Sequence, residues 1–209
     1  MNEFQKIILW LFCFSILLGA CVTLKPQDHK IKFYNLEYQP LSISGNLEPL
    51  PVALRIERLH VSPVFSTNRI ICRDISFKQD SYVNHQWKSD PGAMVTYFLG
   101  RDLKASGLFK VVLSHESGSS FSHILEGSVD EFFEWHTQEN WKGVLILSIT
   151  FFSKSERDAQ KKVLFHKTYS TSRPCREKDP GALAEAMSKA MQEISVEIIE
   201  DVYDALRER

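Results

Sequence analysis

The sequence is poor in the patterns that most enzyme chemistry needs. It holds four cysteines and seven histidines, and none of them falls into H-x-x-x-H, H-E-x-x-H or a Cys/His cluster; a zinc-type site therefore has no support. No G-x-S-x-G surrounds a serine, and Gly118 lacks the neighbouring glycines and lysine of a phosphate cradle. The acidic pairs Asp130-Glu131 and Glu200-Asp201 are adjacent in sequence, so their members point to different faces of a strand or helix and read as solvated surface. These absences point away from an enzyme, and no cofactor or metal is expected. Charge of one sign is missing too: 25 basic residues stand against 26 acidic ones, with no basic cluster to meet nucleic acid. Nine glycines and eight prolines are too few for a disordered or collagen-like segment.

Long apolar runs are nearly absent, and the exception is at the start. Ile7 to Leu18 is mostly apolar, follows Lys6, and runs into Leu18-Gly19-Ala20-Cys21. At ~1.5 Å per residue, Ile7 to Ala20 spans about 21 Å, short of a hydrocarbon core near 30 Å. That length suits a cleaved signal better than a retained span. A cysteine just after Leu-Gly-Ala is the pattern of a bacterial lipoprotein signal, so cleavage between Ala20 and Cys21 and acylation of Cys21 are expected. Ordinary cleavage leaving a free Cys21 thiol is the alternative. Residues 1–20 are then signal, 21–30 the acylated cysteine and a polar tether with Pro26, and 31–209 one folded domain. Several acyl chains at about 0.8 kcal/mol per buried methylene would hold such a protein to the membrane almost permanently. Val22, where Asp usually marks inner-membrane retention, leans towards the outer membrane.

Cys13 leaves with the signal, so the exported domain keeps Cys72 and Cys175. In an oxidising compartment these can form a disulfide; as unpaired thiols they behave as small buried hydrophobes.

Along the domain, alternation predicts strands over Ile31–Tyr38, Val52–Val61, Arg69–Phe77, Ser81–Trp87 and Leu108–Leu113, then three longer ones over Ser122–Glu134, Val144–Phe152 and Lys162–Thr171. Two helices open alike, at Asp90-Pro91-Gly92-Ala93 and Asp179-Pro180-Gly181-Ala182, with Asp as N-cap and Pro at the first helical position. The first ends at Gly107; the second carries an apolar stripe from Leu183 to Leu206. The expected fold is α/β of the α+β kind, a mixed sheet with two amphipathic helices on one face. The repeated opening reflects either a duplicated strands-then-helix unit or shared use of a good helix start. Phe132, Phe133, Trp135 and Trp141 crowd one hairpin end, and alternation lets only some face the core. The others can contact a protein partner or a lipid chain, unless all are packed inside.

Taken in order, these residues resemble the ABC-type transport auxiliary lipoproteins. The resemblance rests on Tyr34-Asn35-Leu36 soon after the cysteine, Val61-Ser62-Pro63-Val64, Arg69-Ile70-Ile71 with Arg73, Tyr82 and Trp87 before the first helix, Ser106-Gly107-Leu108-Phe109-Lys110-Val111 after it, and the long C-terminal helix. Lys88 departs from the Ala usual after the tryptophan, and the acidic residue that follows is displaced to Asp90. The resemblance implies a non-enzymatic envelope subunit working beside a permease, an ATPase and a mammalian-cell-entry-type substrate-binding protein. Such a subunit would dock the complex to the outer membrane while lipids or other hydrophobic compounds pass between membranes. A periplasmic lipid carrier, or a lipoprotein of another envelope assembly, is the rival expectation.

Overall fold

The computed structural model describes residues 30–40, 47–137, 139–154 and 161–208. The expected signal, Cys21 and the tether up to residue 29 lie outside them. The described body builds on one strand, β7 (His123–His136). Along one edge it pairs antiparallel with β8 (Trp141–Lys154), which in turn pairs antiparallel with β9 (Lys161–Pro174). Fourteen residues each, at about 3.3 Å per residue, make this meander some 46 Å long. Along its other edge β7 takes three parallel partners in succession: β2 (Leu50–Ile56), β3 (His60–Val61) and β4 (Arg69–Asp74). β6 (Phe109–Ser114) extends β2, while β5 (Gln79–Trp87) and then β1 (Lys32–Tyr34) extend β4.

Both helices, α1 (Pro91–Ala105) and α2 (Pro180–Arg207), pack on one face, as the apolar stripes require. The Asp90 carboxylate accepts from the Ala93 amide, and Asp179 accepts from the Gly181 and Ala182 amides, so both N-caps form as their sequences indicate. Gly107 ends α1 at φ +67°, a left-handed geometry that glycine adopts without penalty. Between helices and sheet, Gly143, Leu145, Leu147, Ile149 and Phe151 of β8 meet Leu183, Met187, Met191, Ile194, Ile198 and Val202 of α2, all buried.

Of the strand boundaries that differ from the sequence reading, three have a local cause. Val52–Val61 is two strands, because Leu54, Ile56 and Leu59 are all buried and an odd step from 56 to 59 cannot keep one face inward. The first strand stops at Tyr34, whose carbonyl accepts from the Lys88 amide; beyond it Leu36 is buried and Tyr38 reaches α1. The third stops at Asp74, whose carboxylate accepts from the Ser76 amide at 2.8 Å and turns the chain.

A bulge between Val129 and Glu131 gives β7 an extra residue, Asp130. Its carboxylate accepts from Ser128 and Ser148 hydroxyls, each at 2.5 Å. The parity of the strand changes there. Leu125 and Val129 face the helices before the bulge, and Phe132 and Glu134 face them after it.

Candidate functional site

The bulge sends Phe133 and Trp135 to the far face of the sheet, where Phe65, Ile71 and Phe133 form a small second core with Val61, Trp135 and Val144 against it. The Arg73 guanidinium lies 4.7 Å from the ring centres of both Phe65 and Phe133. Because β4 and β7 are parallel and Asp74 pairs with His136, the β4–β5 and β7–β8 turns share one end of the sheet. β9 finishes there too, with Pro174 opposite Lys142. β1 runs parallel to β5 with Lys32 opposite His85, back from this end.

The four aromatic candidates separate. Phe132, 2 % exposed, is in the main core, edge-on to Trp87 at 5.2 Å. Phe133 belongs to the far-face core. Trp135 and Trp141 are half-buried and keep surface for a contact; Trp141 stacks on His136 at 5.0 Å, with the Lys178 ammonium 4.4 Å from its ring.

Beneath them Glu134 is buried, 1 % exposed, a feature the sequence reading missed. One carboxylate oxygen accepts from the Tyr82 hydroxyl at 3.1 Å; the other has no hydrogen-bond partner and stands 3.6 Å from an equally unpartnered His136 Nδ1. Burial pushes this carboxyl up to about 7, against the pull of Tyr82 and Lys178. Cys72 is its register partner on β4, and Cys175 lies past the end of β9; both are free thiols. Burial, and then the Glu134 charge, push Cys72 up to about 12 and Cys175 up to about 11. Burial thus disfavours the thiolate, the nucleophilic form, at both positions. Among the described residues no group of three or more His, Cys, Asp or Glu could hold a metal ion.

What the end exposes is the β4–β5 turn. Ile75 is 75 % exposed and Phe77 fully so. Phe77 has φ +63°, a left-handed geometry costing an L-residue roughly 1–2 kcal/mol. The sequence reading placed both residues in a strand, and the Asp74–Ser76 turn pair was the signal that could have corrected it.

Tyr34 of β1 and the segment after it bond to β5 and to both helices. The Tyr34 hydroxyl bonds His85 Nδ1 at 2.8 Å, the Glu37 amide donates to the Ser188 hydroxyl at 2.9 Å, and the Tyr38 hydroxyl donates to the buried Asp102 carboxylate at 2.5 Å. Arg101 chelates the other Asp102 oxygen and donates to the Tyr38 carbonyl. Elsewhere, a groove of about 480 Å³ runs between α1 and β6, floored by Ile56, Ala93 and Val112 and edged by Arg58, Tyr97 and Lys104.

No curated protein sequence matches the chain. Solved structures do match its fold. The protein XCC0632 from Xanthomonas campestris, described as DUF330, aligns over 85 % of this chain and 97 % of its own at TM-score 0.75 and 16 % identity. An uncharacterized protein aligns over 83 % and 99 % at 0.61 and 14 %. The hypothetical protein CT253 from Chlamydia trachomatis aligns over 77 % and 100 % at 0.57 and 9 %. Identities this low speak to architecture alone. The sequence itself matches the family model for the ABC-type transport auxiliary lipoprotein component over residues 34–199, from the Tyr34 fastening through most of α2. A match over that span settles the family: the chain belongs to the ABC-type transport auxiliary lipoprotein components.

Proposed function

We propose that this protein is the acylated, non-enzymatic subunit of a mammalian-cell-entry-associated ABC system that moves lipids or other hydrophobic compounds between membranes. Cys21 carries the acyl chains, the outer membrane holds them, and the domain docks the periplasmic assembly. The observation that carries this reading is the conjunction of the family match over residues 34–199 with Leu18-Gly19-Ala20-Cys21 a short tether upstream. The fastening of Tyr34 to Tyr38 supports a load-bearing role, since three separate elements share any force on the tether.

The test is recovery of partners from detergent-solubilised envelopes with the full-length protein, using Cys21→Ala as control. The expected outcome is that a permease, an ATPase and a mammalian-cell-entry-type protein come with the native protein, and that Cys21→Ala is lost from the membrane fraction. Changing Trp135 and Trp141 together to Ser is expected to lower partner recovery about ten-fold while leaving the melting transition cooperative, as for paired aromatic anchors. Unchanged recovery would place the docking surface elsewhere. A lipid carrier is the second reading, favoured by the groove between α1 and β6. It is open to solvent, and the α1 side chains Val95, Phe98, Leu99 and Leu103 fill the interior beneath it. Protein emerging alone with bound phospholipid would decide for the carrier.

A further inference from the structure

We infer that the Ile75–Phe77 turn is a second, reversible membrane contact, in which these two side chains enter the lipid surface that holds the acylated cysteine. This rests on the anchoring role proposed for Cys21. Three independent observations lead to it. The first is the turn itself. A fully exposed phenylalanine in left-handed backbone geometry contributes nothing to either core, and glycine or asparagine would suit that position better. The turn is nonetheless firmly built: Asp74 accepts from the Ser76 amide and hydroxyl, and the Phe77 amide donates to the Asp74 carbonyl. An apolar pair is thus held out in water by a structured loop, where an outlier is better explained by use than by folding.

The second observation is reach. β1 is parallel to β5 with Lys32 opposite His85, and the turn lies just beyond Gln79. From His85 back to Gln79 is about 20 Å at 3.3 Å per residue. The eleven residues from Cys21 to Ile31 reach roughly 36–40 Å when extended, at 3.3–3.6 Å each. With Cys21 at a lipid surface, the tether is therefore long enough for the turn to touch that surface, and short enough to keep it at high local concentration. The third is the charge around the turn. Acidic and basic side chains are mixed here, with Lys78 paired to Asp80, so insertion of apolar groups, and not attraction to anionic lipid, is the driving contact.

The experiment places a photoreactive p-benzoylphenylalanine at position 77 or, as control, at position 163. Val163 is also an exposed apolar residue, but it lies opposite Phe152 at the far end of the β8–β9 hairpin. Full-length protein is reconstituted in vesicles of phosphatidylethanolamine and phosphatidylglycerol, irradiated and weighed intact. We expect phospholipid adducts at position 77 to exceed those at 163 about ten-fold, and to disappear when Ile75→Asp is added. Equal adducts at both positions, or no adduct at 77, overturn the inference. Repeating the irradiation in whole envelopes tests the rival occupant: a protein adduct at 77 in place of lipid also overturns it. The mass of the Cys21 peptide from the same samples reports acylation separately, so a failed anchor and a failed turn contact give different results.

Discussion

Replacing Glu134 with Gln is expected to stabilise the folded domain by about 3 kcal/mol at pH 8 and by almost nothing at pH 4. The carboxyl titrates near 4.5 in an unfolded chain and is raised to about 7 by burial in the fold. Below pH 4.5 both states are protonated and burial of the neutral acid costs little. As pH rises through the window from 4.5 to 7, the unfolded state ionises first and stability falls; above 7 the loss is complete. At about 1.36 kcal/mol per pH unit, that gap is worth roughly 3 kcal/mol, or about 6–12 °C in Tm for a domain of this size. Glutamine keeps an acceptor for the Tyr82 hydroxyl and offers an amide N–H towards the unpartnered His136 Nδ1, where the carboxylate has nothing to give. Of the groups that face the site, Cys72 from β4, Tyr82 from β5 and Cys175 from the β9–α2 connection are raised first by burial and only then by the Glu134 charge, so they stay largely protonated from pH 4 to 8 in both proteins, and His136 from β7 and Lys178 remain in the variant. Urea or thermal melts of both proteins at pH 4, 6 and 8 are the measurement. A wild type no less stable at pH 8 than at pH 4, together with a variant that gains nothing, would dismiss the buried charge.

Gly127→Ala should do the opposite, costing ~3–5 kcal/mol or preventing accumulation of folded protein. Gly127 is in the middle of β7, opposite Ile149, and a Cβ there would lie 2.1 Å from the Ser148 carbonyl oxygen and 3.1 Å from the Ile149 Cα. Those atoms are backbone of the neighbouring strand, and moving them breaks the ladder on which the sheet is built. Gly143→Ala is the matched control. Its Cβ would meet the Met187 sulfur at 2.6 Å and Cγ at 3.0 Å, and a thioether can swing aside, so a cost nearer 1 kcal/mol is expected. Pairing Gly143→Ala with Met187→Ala should be less than additive, whereas no side-chain change rescues Gly127→Ala. Denaturant midpoints of Gly127→Ala, Gly143→Ala, Met187→Ala and the Gly143→Ala/Met187→Ala double variant decide it, and similar costs at both glycines would refute the backbone argument.

The long elements were legible because their patterns are uninterrupted. β8 alternates from Gly143 to Phe151 without a break, and α2 keeps one stripe from Leu183 to Val202, so local periodicity and tertiary burial agree. The short elements were misread where a single polar residue overrides the pattern. Asp74 captures the Ser76 amide and makes a turn of Ile75 to Phe77, although those residues alternate as a strand would. The candidate site was legible in its aromatics and not in its carboxylate. Nothing local to Glu134 distinguishes it from Glu131, which meets Arg73 at the surface.

By itself the sequence determined the class of fold, the two helix starts at Asp90 and Asp179, the buried stripe of α2 and the family. The helix starts and the stripe depend on residues close together in the chain, where capping and periodicity act, and the family on the order of such local motifs over residues 34–199. Only the tertiary structure decided what the aromatic end contains. The extra residue at Asp130 shifts the alternation of β7, turning Phe132 and Glu134 to the helices and Phe133 and Trp135 away. Parallel pairing of β4 with β7 then brings the Phe77 turn and the two tryptophans to one end, while β1 starts opposite His85, back from it. The physical reason is that strand register and parity are properties of pairs. A one-residue bulge costs little locally, yet it exchanges every side chain beyond it between the core and the far face.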